Sequence, residues 1–190
     1  MLVVGIDPGA QKTGFAWIRE EGRKVTRSVM TIFASGGDRM RYPAYLRQLS
    51  LALFALKERP DAVAIEEPDR RTKWLRTEED FPSIVHLEGI YAVSLGEVTR
   101  RWPAMRVFTW KTLVWRGMGS SKGKTMDRMW KKYGVAFETD DESDALGMAD
   151  HALQLMRSSV SQRAVAALEP PTPPAAVKVI AAPAEVDLDS

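Results

Sequence analysis

Leu2-Val3-Val4-Gly5-Ile6-Asp7-Pro8-Gly9 opens the chain, and Ala62-Val63-Ala64-Ile65-Glu66-Glu67-Pro68 follows the same plan further along. Short apolar runs of this kind suit strands buried on both faces. Each run ends in an acid and then a turn signal, so each delivers a carboxylate to the end of a central strand. Between them, Thr13 to Ile18 and Lys24 to Phe33 alternate in polarity around Glu20-Glu21-Gly22. With the first run they read as an antiparallel meander. Tyr42 to Lys57 has helical spacing in Tyr45, Leu46, Leu49, Leu53 and Leu56, and stops before Pro60. After the fourth strand the pattern predicts a helix over Phe81 to Arg101 and a strand over Met105 to Phe108. Short helices at Trp110–Arg116 and Ser121–Lys132 and a last helix from Asp141 to Met156 complete the body. The order βββαβαβα implies an α/β fold, a mixed five-stranded sheet with helices on both faces.

The 190 residues are 45% hydrophobic and 27% charged, an ordinary globular balance with enough apolar material for a core. No run approaches the ~18 apolar residues of a membrane span. The N-terminus reaches Asp7 too soon for a secretory signal, and without cysteine there is no disulfide framework and no Cys-based metal site. An intracellular, cytoplasmic protein is expected. The division expected is a body over 1–157 and a flexible Pro/Ala-rich acidic tail over 158–190. Five of the eleven prolines fall in that tail, and proline disfavours both sheet and long helix. The tail carries Arg163 and Lys178 against Glu169, Glu185, Asp187 and Asp189, a net −2, which leaves +4 of the overall +2 to the body. A mildly basic body is compatible with nucleic-acid binding without requiring it. A protein partner for the tail is not identified by its sequence.

A third group of acids lies at Thr139-Asp140-Asp141-Glu142-Ser143-Asp144-Ala145-Leu146. Thr139 with Glu142 matches a capping box that starts a helix. Asp141 and Asp144, three apart, share one face of it. Asp140 and Asp144 are a competing pair. Asp150 turns away from that face, and His151 is read as structural. Acids after the first and fourth strands and at the start of the final helix form a convergent set with no Cys. Such a set suits a hard, oxygen-loving cation, Mg²⁺ or Mn²⁺.

Gly5-Ile6-Asp7-Pro8-Gly9 with Thr13-Gly14, then Ala64-Ile65-Glu66, then Asp141-Glu142-Ser143-Asp144-Ala145-Leu146, resembles the RuvC family of Holliday-junction resolvases over roughly residues 1–156. The resemblance implies an RNase H-like nuclease acting as a homodimer on branched DNA. It implies Asp7, Glu66, Asp141 and Asp144 as the catalytic, metal-binding tetrad, with two Mg²⁺ ions (or Mn²⁺) per site about 4 Å apart. Asp7 would bridge the ions, and each nick would leave a 5′-phosphate and a 3′-hydroxyl. The apolar face of the Phe81–Arg101 helix is the dimer interface expected from it. The stretch from Trp110 to Lys122 is similar to the family's basic segment, which has a lysine near Lys111 and another near Lys122 or Lys124. The family's aromatic wedge has no counterpart directly after Glu66; Trp74 is the nearest candidate.

Basic residues interleave with aromatics at Arg70-Arg71-Thr72-Lys73-Trp74, Arg100-Arg101-Trp102, Trp110-Lys111 and Met129-Trp130-Lys131-Lys132-Tyr133. Cations neutralise phosphates, and rings stack on unpaired bases at a branch. DNA contact is expected for Arg70, Arg71, Lys73, Trp74, Lys111, Lys122 and Lys124. Trp102, Trp115 and Trp130 are expected in the core. Other readings are an RNase H-like nuclease for other branched DNA or for RNA, and a non-catalytic junction-binding protein. An actin-like ATPase would need a second such domain.

Overall fold

The computed structural model describes residues 1–34, 38–68, 81–116 and 121–168. Its strands are β1 (Leu2–Asp7), β2 (Lys12–Glu21), β3 (Lys24–Phe33), β4 (Ala62–Glu66) and β5 (Arg106–Trp110). The helices are α1 (Asp38–Ala55), α2 (Phe81–Arg101), α3 (Thr112–Arg116), α4 (Lys122–Tyr133) and α5 (Asp140–Leu168). They make one five-stranded sheet in the order β3-β2-β1-β4-β5. The meander β1-β2-β3 is antiparallel, while β4 and β5 join it in parallel. The expected α/β fold with a mixed sheet is therefore the fold observed.

Period-two alternation divides the strand residues between two cores. Leu2, Val4 and Ile6 of β1 point with Phe15, Ile32, Val63 and Ile65 into the layer covered by Tyr45, Leu49 and Leu53 of α1 and Ile90 and Val98 of α2. A buried hydroxyl pair, Tyr45 Oη to Ser94 Oγ at 2.7 Å, ties those two helices together. Val3, Ala16, Ile18, Ala62 and Ala64 point the other way, toward α5 and the rings of Trp115 and Tyr133. Three of the strand residues on this second face are alanines, and α5 presents Ala145, Ala149 and Ala152 to it.

The approach of α5 is closest at two glycines. A Cβ on Gly5 would lie 1.9 Å from the Ala145 carbonyl oxygen, and one on Gly14 would lie 1.9 Å from that of Asp141. The first two turns of α5 thus rest directly on the β1–β2 backbone. At the other end of β2, neighbouring residues bind opposite layers. Arg19 Nη2 meets Glu58 Oε1 at 2.6 Å beyond α1, and Glu20 pairs with Arg157 of α5.

Three elements differ from the sequence expectation. Trp110 closes β5 instead of opening a helix, because parallel pairing with β4 extends to Glu66 opposite Trp110. The first helix begins at Asp38, ahead of Tyr42, and takes Pro43 inside it. The last helix runs past Met156 to Leu168, into the segment expected to be flexible. Its added turns contain Ala164, Ala166 and Ala167, strong helix formers, with no proline before Pro170. Among the described residues no helix is long and apolar enough to cross a membrane.

Glycine substitutions separate seat from surface. Gly5→Ala forces α5 off the sheet and should cost at least the ~1–3 kcal/mol of an overpacked core. Gly96→Ala on α2 meets nothing within 4 Å and should gain about 0.5–1 kcal/mol from helix propensity. Urea unfolding midpoints of the two variants should move in opposite directions.

Candidate active site

The parallel register of β1 and β4 pairs Ile6 with Ile65, so Asp7 and Glu66 end neighbouring strands side by side. Both have the parity of the α5 face, the parity of Gly5 and Ala64. Glu67 has the opposite parity, and its N–H donates to the Trp110 carbonyl at 2.8 Å. Of the Glu66-Glu67 pair, Glu66 is the one on the helix side. Asp7 pairs with Gly14, and Gly14 lies under the Asp141 carbonyl. Asp144 adjoins Ala145, the residue seated on Gly5, and is only 1% exposed. The four acids singled out in the sequence thus belong to one face of the sheet at one end.

Protein donors meet Glu66, Asp141 and Asp144. Glu66 Oε2 accepts from Trp115 Nε1 at 3.2 Å. Asp144 is ion-paired with Arg116. Lys12 Nζ stands 3.4 Å from Asp141 Oδ2 and 3.8 Å from Asp140 Oδ1. Asp141 is the more enclosed of those two, at 14% side-chain exposure against 34%. Among the described residues no three His, Cys, Asp or Glu side chains are gathered closely enough to hold a metal ion. In donor type, carboxylate oxygen, the acids suit a hard divalent cation. The cationic groups of Lys12 and Arg116 already lie against Asp141 and Asp144, where such an ion would bind.

The remaining acids of the motif have other work. Glu142 accepts from Thr31 Oγ1 and the Glu138 N–H, both at 2.8 Å, while its own N–H donates to Thr139 Oγ1. That is the capping box expected from Thr139 and Glu142, with the return bond one residue earlier. Asp150, buried behind α4, accepts from Lys132 Nζ, Tyr133 Oη and Gln154 Nε2. Burial and the hydrogen bond to Asp150 push the Tyr133 hydroxyl pKa strongly up. His151 sits edge-on to Trp110, 4.9 Å between ring centres.

Of the residues expected on DNA, Lys111 is exposed and directly follows Trp110, at the same sheet end as Glu66. Lys124 is exposed in the first turn of α4, where its N–H reaches the Ser121 cap. Lys122 begins that helix. Arg70, Arg71, Lys73 and Trp74 lie outside the described residues. Trp115 is buried as expected, and Trp102 packs against the first core. Trp130 is not core: it is 58% exposed, because Met129 and Tyr133 supply the inward face of α4. Lys12, Trp115 and Arg116 were not anticipated beside the acids. For Lys12 a signal existed, since it has the parity of Gly14.

No family model matches the chain, and no curated protein matches it in sequence. Among solved structures, Thermus thermophilus RuvC in complex with a Holliday junction substrate is similar at 20% identity and a TM-score of 0.61. That match covers 84% of this chain and 96% of that one. A second Thermus thermophilus RuvC structure gives 19% identity and a TM-score of 0.60, covering 84% and 97%. The chain therefore has an RNase H-like α/β fold. Within that class its architecture is the one found in RuvC.

Burial lowers the His151 pKa, opposed by the Asp150 charge and aided by Arg128, so the fold favours the neutral ring. Below the unfolded value of about 6.5 the unfolded chain takes up a proton before the folded chain does, and stability falls as pH drops toward the lowered folded value. Between about pH 7.5 and 5.5 the wild-type urea midpoint should fall more than that of His151→Gln.

Proposed function

We propose that this chain is a metal-dependent endonuclease that nicks branched DNA, four-way Holliday junctions foremost. The observation that carries this reading is the placement of Asp7, Glu66, Asp141 and Asp144 on one face of one sheet end, in the fold of RuvC. These four carboxylates would hold two Mg²⁺ ions, with Mn²⁺ able to substitute. Such ions supply a water-derived nucleophile and charge stabilisation at the leaving 3′-oxygen, giving 5′-phosphate and 3′-hydroxyl ends. The chain's own part is to fix the carboxylates on rigid strand ends and on a helix that cannot slide. Lys111, with Lys122 and Lys124 of α4, would hold the phosphates beside the scissile one. Arg70, Arg71 and Lys73 would extend the basic track, and Trp74 would stack on a base exposed at the branch.

A four-way junction has two-fold symmetry, so a homodimer would place one site on each of two strands. The α2 helix, whose Ile90 and Val98 already pack in the first core, is the element proposed for pairing, through the apolar residues it has left. Residues 1–157 form the proposed nuclease body, with 158–190 an appendage to it. A single gel with four-way junction, fork, flap and linear duplex in Mg²⁺ tests selectivity. Asp7→Asn should abolish cleavage and leave junction binding intact, because it removes a ligand without touching the basic surface. Substantial cutting by that variant refutes the tetrad. A wild-type chain that binds junctions and never cuts identifies a non-catalytic junction-binding protein.

Two substitutions divide charge from stacking. Lys111→Ala should weaken binding to every DNA and reduce the log–log salt slope by about one unit. Trp74→Ala should cost about 1–3 kcal/mol on the junction and almost nothing on linear duplex. Equal losses on both substrates would remove Trp74 from the branch point.

A further inference from the structure

Trp115 and Arg116 are consecutive residues of the short helix α3, and each holds one of the four acids. The indole N–H donates to Glu66 at 3.2 Å, and the guanidinium is paired with Asp144. Asp144 is almost wholly buried, at the edge of the core formed by Ala145, Leu146 and Met148. A carboxylate in such a place needs an opposite charge beside it. Arg116 supplies that charge, and the Trp115 ring, 4.9 Å from its guanidinium carbon, favours the cation. The cost lies elsewhere: its side chain is only 12% exposed and its buried Nε has no hydrogen-bond partner among the described residues. A guanidinium has five N–H donors, and leaving one buried without an acceptor works against keeping it there.

We infer that Arg116 is a resident counter-ion, holding Asp144 while no metal is bound and giving the carboxylate up when a divalent cation arrives. This rests on the metal-binding reading of the tetrad. The charge balance supports an exchange. Arg116 lies against Asp144 and Lys12 against Asp141, and divalent ions bound there would neutralise those two acids without either side chain. Lys12 is a different kind of partner: it is 42% exposed and 3.4 Å from Asp141, so solvent screens it and it leaves readily. Arg116 is enclosed, and its departure is the step that sets metal affinity. It is a positioning residue, acting on metal through Asp144.

Calorimetric Mn²⁺ titration of the full chain, with thermal unfolding in the presence and absence of Mn²⁺, tests this. Arg116→Met should lower the metal-free melting temperature and enlarge the rise produced by Mn²⁺. It should also bind Mn²⁺ tighter by about tenfold, the fold-change of one charge-assisted contact. Arg116→Lys, which keeps the charge and loses the fork, should fall between the two and serves if Arg116→Met does not fold without metal. Unchanged or weaker Mn²⁺ affinity in the variants overturns the exchange while leaving the tetrad in place. If the wild type binds no Mn²⁺, or Asp7→Asn binds it as well as wild type, the tetrad itself fails and the exchange fails with it.

Discussion

The carbonyl oxygens of Ala145 and Asp141 occupy the space where side chains on Gly5 and Gly14 would stand. Everything at the candidate site follows from that contact. Because two backbones meet with nothing between them, the rise of α5 is locked to the register of β1 and β2. Asp141 and Asp144 then hold fixed heights above Asp7, and Asp7 is fixed beside Glu66 by the β1–β4 ladder. Alanine at positions 16, 62 and 64 continues the same low surface across the sheet. Side-chain packing elsewhere in the molecule has tolerance, since long side chains can choose rotamers. A backbone-on-backbone seat has almost none.

Much of this was legible in the sequence for a physical reason: buried parallel strands read as apolar runs, and the acids that end them are conspicuous. The order of elements, the sheet class and the capping role of Glu142 follow from period and cap chemistry alone. Parity also separates Glu66 from Glu67 once α5 is known to cover the small-residue face. What could not be read was set by long-range pairing or helix propensity. Trp110 looks like a helix start next to Lys111-Thr112, yet the ladder with Glu66 keeps it extended. The helical turns beyond Met156 were hidden by the prolines that follow them, although alanines precede those prolines. Trp130 has core spacing, but α4 needs only Met129 and Tyr133 to cover its side of α5. Arg116 was invisible as a partner of Asp144, because nothing local links residues 28 apart.

The site also shows how a protein keeps a crowd of carboxylates folded. Asp144 is deep, Asp141 shallower, and each has a cationic neighbour of matching depth: Arg116 inside, Lys12 at the rim. Glu142 and Asp150, also buried, are instead engaged by hydroxyl, amide and ammonium donors. The chain thus separates acids that serve as structure, held by several hydroxyl, amide and ammonium donors, from Asp141 and Asp144, which lie against cationic side chains.

Arg19 and Glu20 hold one further consequence. As neighbours on a strand they reach opposite faces, one fastened to Glu58 and the other to Arg157. The sheet is thereby stitched through its thickness at the end remote from the acids. The hydrogen bond from Arg157 holds the Glu20 carboxyl below its ordinary pKa, against an opposing burial penalty and aided by the charges of Arg157 and the N-terminus. Its contribution is complete above the ordinary carboxylate range and fades as pH falls through the lowered value. Acid therefore frees the far end of α5 from the strand while the glycine seat, which carries no charge, still grips the near end. Opening should then begin as fraying from one end, and the end of the helix that carries Asp141 and Asp144 belongs to the last unit to come apart.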